Sequence, residues 1–400
     1  MTDTVSSLLA EIADVGTDLR RGGYTRPVYS GAELDLRWWF CAHAQKRGLD
    51  VETDRNGIIW AWHGGVGDDA IVTGSHLDSV PGGGAYDGPL GIASALVAFD
   101  HLQARGVSGR RAIAVFPEEE GSRFGVACLG SRLLTGAINP RQACALTDND
   151  GVTFAEATRR TGLNPGHLGT DLETLARIAT FVELHVEQGR ALADMDRPVA
   201  VASSILGHGR WRIAISGEGN HAGTTLMADR CDPMVAAARL VTEVQRLTRG
   251  ISDARGTVGR LVPVPGGTNV IAARVDLWLD VRHPDDVTTR HLVDEIGRAA
   301  RKLAAQEGCT AEMAEESFTP TVDFDPRLRD RIAGVLDAAP LLGTGAGHDA
   351  GVLKDHVPTA MIFVRNPTGV SHAPQEEVEE ADAETGAAAL AGTLEMLLHR

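Results

Sequence analysis

Four hundred residues exceed what one hydrophobic core ordinarily serves, so two domains are expected. The 43% hydrophobic and 23% charged content is that of a folded globular chain, and no apolar stretch has the length needed to span a bilayer. A formal net charge of −16 repels nucleic acid and anionic membrane surfaces, which excludes both as main partners.

The opening Met-Thr-Asp-Thr-Val has neither the basic start nor the apolar core of a signal peptide, so the expected location is cytoplasmic. Val5, Leu8, Leu9, Ile12, Val15 and Leu19 recur at helical spacing and predict a helix over 4–20; a second is expected over 31–47, after Ser30-Gly31. Strands are predicted near 57–63, 69–75 and 111–117, with a helix over 90–105 between the last two. Strand, helix, strand is the parallel βαβ unit.

Between the strand at 69–75 and that helix lies 74–91, Gly-Ser-His-Leu-Asp-Ser-Val-Pro-Gly-Gly-Gly-Ala-Tyr-Asp-Gly-Pro-Leu-Gly. It presents His76 and Asp87 where a strand gives way to a helix, the place where open α/β sheets carry their sites. A Gly-rich loop here is more often a phosphate cradle or a plain connection than a metal site. Neither phosphate pattern fits, because the glycines do not space as G-x-G-x-x-G and no G-K-[ST] closes the loop.

Later elements repeat the pattern. The strand at 111–116 runs into Pro117-Glu118-Glu119-Glu120, which would ordinarily be a solvated charge run but here follows a buried strand directly. Phe181-Val182-Glu183-Leu184 leads into His185-Val186-Glu187-Gln188-Gly189, and the apolar strand at 360–364 leads into a loop ending Ser371-His372-Ala373-Pro374. If the sheet is parallel, all of these residues emerge at one edge. His76, Asp87, Glu119, Glu120, His185 and His372 then form a donor inventory suited to two zinc ions. Cys41, Cys128, Cys144, Cys231 and Cys309 are odd in number and scattered, without a C-x-x-C pair, which disfavours disulfides and a thiolate site.

The segment 206–316 differs in character. It predicts strands at 211–216, 256–264, 270–282 and 309–317, with helices starting at Asp232-Pro233 and over 285–305, and so a compact α+β unit inserted into a larger α/β domain made of 1–205 and 317–400. Alternation along 275–282 puts Asp276, Trp278, Asp280 and Arg282 on one face. Gly343-Thr-Gly-Ala-Gly-His-Asp lacks a predicted strand before it and the spacing of a nucleotide loop, and reads as part of a substrate pocket. No G-x-S-x-G elbow supports a serine hydrolase.

Taken together, 74–91, 118–124, 184–189, 219–227, Asn269 with 280–283, 345–350 and 371–376 resemble the dinuclear-zinc amidohydrolases. That group includes N-carbamoyl-L-amino acid hydrolase, allantoate amidohydrolase and the bacterial type of β-ureidopropionase, within the aminoacylase and carboxypeptidase superfamily. His-Val-Glu-Gln-Gly is the most discriminating block, since related peptidases typically carry a carboxylate where His185 stands. Leu226, Arg190 and Arg365-Asn366 depart from the pattern. Arg190 and Arg365 read as surface residues, the commoner case, or as a preference for a more acidic substrate.

The resemblance implies a zinc-exopeptidase-like catalytic domain with a central mixed sheet, plus an α+β lid or dimerisation domain, in a homodimer. It implies that His76 and His185 each bind one of two divalent cations or share one, that Asp87 bridges both, and that Glu120 and His372 complete the second position. Zinc suits these donors, and manganese, cobalt or nickel are compatible. Asp78 would orient His76, Glu119 would be the general base and His221 would stabilise an oxyanion. Gln188, Asn269, Arg282 and Gly351 would hold a carboxylate-bearing substrate. The reaction implied is hydrolysis of an N-carbamoyl-L-amino acid to amino acid, ammonia and carbon dioxide. Allantoate, N-carbamoyl-β-alanine, an N-acyl amino acid or a dipeptide are rival substrates, and a metal-binding regulator without turnover is the rival outside enzymes. Against that last rival stands Glu119, a base for which a binding-only protein has no chemical need.

Overall fold

The computed structural model describes residues 3–65 and 67–399. Its strands in chain order are β1 Asp50–Thr53, β2 Ile59–His63, β3 Ala70–His76, β4 Arg111–Phe116, β5 Ile178–Val186, β6 Val199–Ile205, β7 Gly207–Ser216, β8 Asn220–His221, β9 Arg255–Val264, β10 Val270–Ile271, β11 Arg274–His283, β12 Thr310–Thr319, β13 Val322–Asp323, β14 Leu341–Thr344 and β15 Thr359–Val364. The chain divides into two compact units, one running to Ser203 and resuming at Phe324, the other Ser204–Asp323. No helix among the described residues is long and apolar enough to cross a membrane.

The sheet of the first unit has the order β1-β2-β4-β3-β5-β15-β6, with β14 also beside β6. Its centre, β4-β3-β5-β15, is parallel, while β1, β2 and β6 join antiparallel. The central strands are apolar almost throughout because both their faces are covered. On one side Leu90, Leu96 and Val97 of the helix Pro89–Ala104 and Leu390 and Leu394 of the helix Glu380–Leu398 share a core with Ile113, Leu184 and Ile362. On the other, Trp62 stacks on Trp60, and Trp60 and Phe181 each meet Phe116 edge to face.

Parallel pairing puts the carboxyl ends of four strands at one edge. Gly74 on β3 lies beside Ala114 and Glu183, and two residues further on His76 lies beside Phe116 of β4, with its ring 5.7 Å from that of His185 on β5. Glu118, Glu119 and Glu120 leave β4 at the same edge, and the loop after β15 returns with His372.

In the second unit β12-β7-β11-β9 form an antiparallel sheet. Val275, Leu277, Leu279 and Val281 of β11 point into a core with Leu240 and Val244 of the helix Pro233–Arg249 and Leu292 and Ile296 of the helix Asp286–Gln306. Asp232 and Asp285 cap the two helices by accepting N–H bonds from Met234 and Thr288. Asp276, Trp278, Asp280 and Arg282 alternate with the buried set, as the period-2 pattern requires.

Four differences from the sequence-based expectation have local causes. The predicted helix 4–20 ends at Glu11, because the Arg26 guanidinium takes the carbonyls of Ile12 and Val15 and so removes the need for further helical bonds. The predicted strand 270–282 is two, since after β10 the chain turns through Ala272 and Ala273, whose N–H donates to Val264 O. The inserted unit was expected to end at 316, but β12 runs to Thr319 and the unit to Asp323. A strand, β14, does precede the glycine-rich segment at 343–349; its four residues are too short to register as an apolar run.

Gly88 shows how closely this edge is packed: it sits at φ +86°, and a Cβ there would lie 2.6 Å from Nδ1 and Cε1 of His76. Gly106, at φ +68°, faces open space. The expected outcome in chemical denaturation is a loss of about 1 kcal/mol for Gly106→Ala, from backbone strain alone, and a larger loss, up to about 3 kcal/mol, for Gly88→Ala. Equal losses would show that the contact with His76 contributes nothing.

Candidate metal centre

Asp87 lies at the middle of the sheet edge and faces different partners with each oxygen. Its Oδ1 is 3.5 Å from His76 Nε2 and 3.1 Å from His185 Nε2, and its Oδ2 is 3.4 Å from His372 Nε2. His372 Nε2 is also 3.4 Å from Glu120 Oε2. The ligand atoms of His76, Asp87 and His185 all fall within 4.8 Å of one another, and so do those of Asp87, Glu120 and His372. His76, His185 and Asp87 are 0, 1 and 3% exposed, whereas the His372 side chain is 49% exposed. One group is therefore sealed and the other open to solvent. The two histidines that the sequence left either separate or together share the sealed group.

The protons show that the arrangement fits a cation. His76 Nδ1 is 2.9 Å from Asp78 O and His185 Nδ1 is 3.0 Å from Val186 O, so each Nδ1 carries the hydrogen and donates it. The Nε2 lone pairs then face the lone pairs of Asp87, and neither Nε2 has a hydrogen-bond partner among the described residues. Buried acceptors confronting one another at this range repel unless a proton or a metal ion lies between them. Glu120 Oε1 is likewise buried and without a partner. Imidazole and carboxylate oxygen without thiolate suit zinc and its first-row neighbours.

Electrostatics supports the same reading. Burial by itself would raise the Asp87 carboxyl, but the imidazoles of His185 and His76 overcome it and hold the group well below the usual carboxylate range. Burial disfavours the His76 imidazolium, yet Glu119, Asp87 and Asp78 lift it well above its ordinary value. Burial, reinforced by Asp349, Glu120 and Glu183, pushes Glu119 well up; burial and Asp87 do the same to Glu120. Burial and Asp78 take Glu118 to about 8. Without a cation these groups would hold protons, and bound cations would displace them.

Three supports were only partly legible. Asp78 does meet His76, but through its backbone carbonyl; its carboxylate accepts the N–H groups of Glu119 and Glu120 at 3.2 Å each and so fixes the acid pair. Glu376 Oε1 accepts the N–H groups of Tyr86 and Asp87 at 3.0 Å each and fixes the Asp87 loop. His348, which sequence reasoning missed, is buried with Nδ1 3.8 Å from Glu119 Oε1 and its ring 4.5 Å from that of His185; burial and His185 hold it well below its usual range. The glycine run before it and the buried Glu183 in an apolar strand were the available signals.

The expected substrate residues are placed as follows. Gln188 Nε2 donates to Asp87 Oδ2 at 3.0 Å, and its buried Oε1 has no hydrogen-bond partner among the described residues. Gly351 lies in the short helix Asp349–Leu353 after β14, and its N–H donates to His348 O. In the second unit His221 and Asn269 are exposed, and the N–H groups of Gly223 and Thr224 donate to His221 Nδ1, so the ring hydrogen is on Nε2. Arg282 Nε and Nη2 hold Asp280 at 2.8 and 3.0 Å. Arg365 pairs with Asp382 and Asp196, and Arg190 pairs with Asp194 at the surface.

The buried acids give a pH prediction for chelator-treated protein. A group such as Glu118, raised from 4.5 to about 8 on folding, binds more protons in the folded state between those values, so its contribution is present below the lower value and is lost as pH rises through the upper. Asp87, whose carboxyl is lowered, loses its contribution only as pH falls through its folded value, outside this window. The denaturation midpoint of the metal-free protein should therefore fall from about pH 5 to about pH 8, and added divalent metal should restore it most at the alkaline end. A flat profile in the metal-free protein would contradict the proton inventory.

Residues 72–396 match the sequence profile of peptidase family M20/M25/M40. An N-carbamoyl-L-amino-acid amidohydrolase from Paenarthrobacter aurescens is 34% identical over 374 residues, covering 91% of this chain and 90% of that protein. An allantoate amidohydrolase from Bacillus subtilis (strain 168) is 32% identical over 390 residues, with 94 and 93% covered. Among solved structures, an amidase of the hydantoinase/carbamoylase family from Burkholderia multivorans superposes with a TM-score of 0.86 at 28% identity, covering 99% of this chain and 97% of that one.

Proposed function

This chain belongs to peptidase family M20/M25/M40, and from that premise we propose that it hydrolyses the ureido bond of an N-carbamoyl-L-amino acid. It is a hydrolase, an amidohydrolase of the carbamoylase and allantoate amidohydrolase kind, built on a zinc-exopeptidase-like fold with a central mixed sheet. The observation that carries the chemistry is the pair of ligand groups joined through Asp87 with Glu119 beside them. The choice of substrate rests on the named activity of the 34% identical relative.

In this reading His76, His185 and Asp87 hold one divalent cation, and Asp87, Glu120 and His372 hold the other. Two such ions, when bound, supply Lewis acidity and lower the pKa of water from 15.7 to about 7. Glu119, with Oε2 3.7 Å from His76 Nε2 and its backbone N–H tied to Asp78, takes the proton from water and returns it to the leaving nitrogen. His221 has its hydrogen on Nε2 and is suited to donate to the oxyanion that forms on the ureido carbon. Gln188, Asn269, Arg282 and Gly351 orient the substrate. Water adds to the carbamoyl carbon, and the products are amino acid, ammonia and carbon dioxide. The proposal includes zinc as the metal, a cytoplasmic location and a homodimer through the inserted unit.

The test is ammonia release by metal-loaded protein from N-carbamoyl-L-amino acids, N-carbamoyl-β-alanine and allantoate, with amine release from N-acetyl amino acids and dipeptides. Fastest turnover of one N-carbamoyl-L-amino acid is expected. Preference for allantoate would transfer the chain to the activity named for its 32% identical relative, and turnover of acyl or peptide substrates alone would overturn the ureido reading. Glu119→Gln should keep two metal ions per chain and lose at least ~10²-fold in kcat, the scale of a general base. Undiminished turnover would remove Glu119 from that role.

A further inference from the structure

His348 has no task in the reaction as described, yet it is buried beside the candidate centre. It is 2% exposed, and neither ring nitrogen has a hydrogen-bond partner among the described residues. Leaving a buried polar group unsatisfied costs about 1–3 kcal/mol. Among the described residues Glu119 is the one carboxylate within 4.0 Å of a ring nitrogen, with Oε1 3.8 Å from Nδ1.

Glu119 is otherwise held by its backbone. Its N–H donates to Asp78 Oδ1 at 3.2 Å, and its carbonyl accepts Cys128 N–H at 2.7 Å. Only the side-chain torsions remain open. Oε2 faces His76, while Oε1 meets Cys128 Sγ at 3.6 Å, a weak donor, and His348 Nδ1. The turn that carries His348 is anchored on both sides. Ser131 Oγ on the helix Leu129–Thr135 donates to Asp349 Oδ1, and Ala350 N–H donates to Glu183 Oε2 on β5 at 2.9 Å. Two fully buried acids, otherwise unexplained, thereby fix where the imidazole stands.

We propose that His348 is a positioning residue whose Nδ1–H holds Glu119 Oε1, so that Oε2 is the oxygen presented to the attacking water. The inference rests on the reading of Glu119 as the base. At 3.8 Å the pair is not yet hydrogen-bonded, and catalytic hydrogen bonds that are long before substrate binds tighten in the complex. A carboxylate free to rotate would present its oxygens at random, and a displacement of about 1 Å at a reacting group can cost 10²-fold in rate.

His348→Phe keeps the ring against His185 and removes the donor; His348→Asn places an amide N–H near the former Nδ1. Each is assayed with the N-carbamoyl amino acid turned over fastest, and bound metal per chain is measured separately. His348→Phe should lower kcat by roughly 10- to 100-fold, with KM and metal content within about twofold of wild type, and His348→Asn should recover most of that loss. In a Glu119→Gln background His348→Phe should add less than about a twofold loss, because the residue acts through Glu119. Full kcat in His348→Phe, no recovery in His348→Asn, or loss of metal from His348→Phe would each overturn the inference. So would an additive loss on top of an impaired Glu119→Gln, which leaves the base assignment intact. Undiminished turnover by Glu119→Gln alone would overturn that assignment and this inference with it.

Discussion

A single carboxylate that must face two sets of ligands is the constraint on which the first unit depends. Asp87 turns Oδ1 toward two buried imidazoles and Oδ2 toward His372, and it can do so only if its loop is held in both position and rotation. Glu376 supplies the hold through the N–H groups of Tyr86 and Asp87. Gly88, in a left-handed conformation and without a Cβ, lets the same loop close over His76. The helix Pro89–Ala104 then starts at once, with proline in its first turn, and buries its apolar side against the sheet. Site and core are thus one continuous piece of packing.

The same packing concentrates negative charge. Glu118, Glu119, Glu120, Glu183, Asp349 and Glu376 are all pushed upward by burial, and few cationic side chains oppose them. An unpaired buried charge costs several kcal/mol, against a whole-domain stability of about 5–15 kcal/mol. The cluster therefore must hold protons or metal ions. The imidazoles offset this charge only where Nε2 also carries a proton, because each hydrogen on Nδ1 is committed to a carbonyl. Cations bound at such a site would contribute to its stability as well as its chemistry.

Most of the candidate cluster could be assembled from the sequence because it follows local rules. His76, Glu119, Glu120 and His185 stand at the ends of apolar strands, and parallel pairing brings strand ends together. The supports were harder to read. Glu376 acts on Asp87 across 289 residues of chain, and no spacing rule reaches that far. His348 follows a strand of four residues, below the length at which an apolar run declares itself. Arg365 read as a surface residue, and only the fold shows that Asp382 and Asp196, distant in sequence, are its partners.

The sequence by itself determined the class of fold, the inserted α+β segment and the donor types, because hydrophobic period and residue chemistry are properties of neighbours in the chain. Tertiary structure alone decided that His76 and His185 share one ligand group, that the Asp78 carboxylate holds the acid pair while its carbonyl holds the imidazole, and that two buried acids fix His348 beside Glu119. Those assignments depend on which oxygen or nitrogen faces which partner. That is settled by side-chain rotation within a packed core, where residues far apart in sequence meet within a few ångströms.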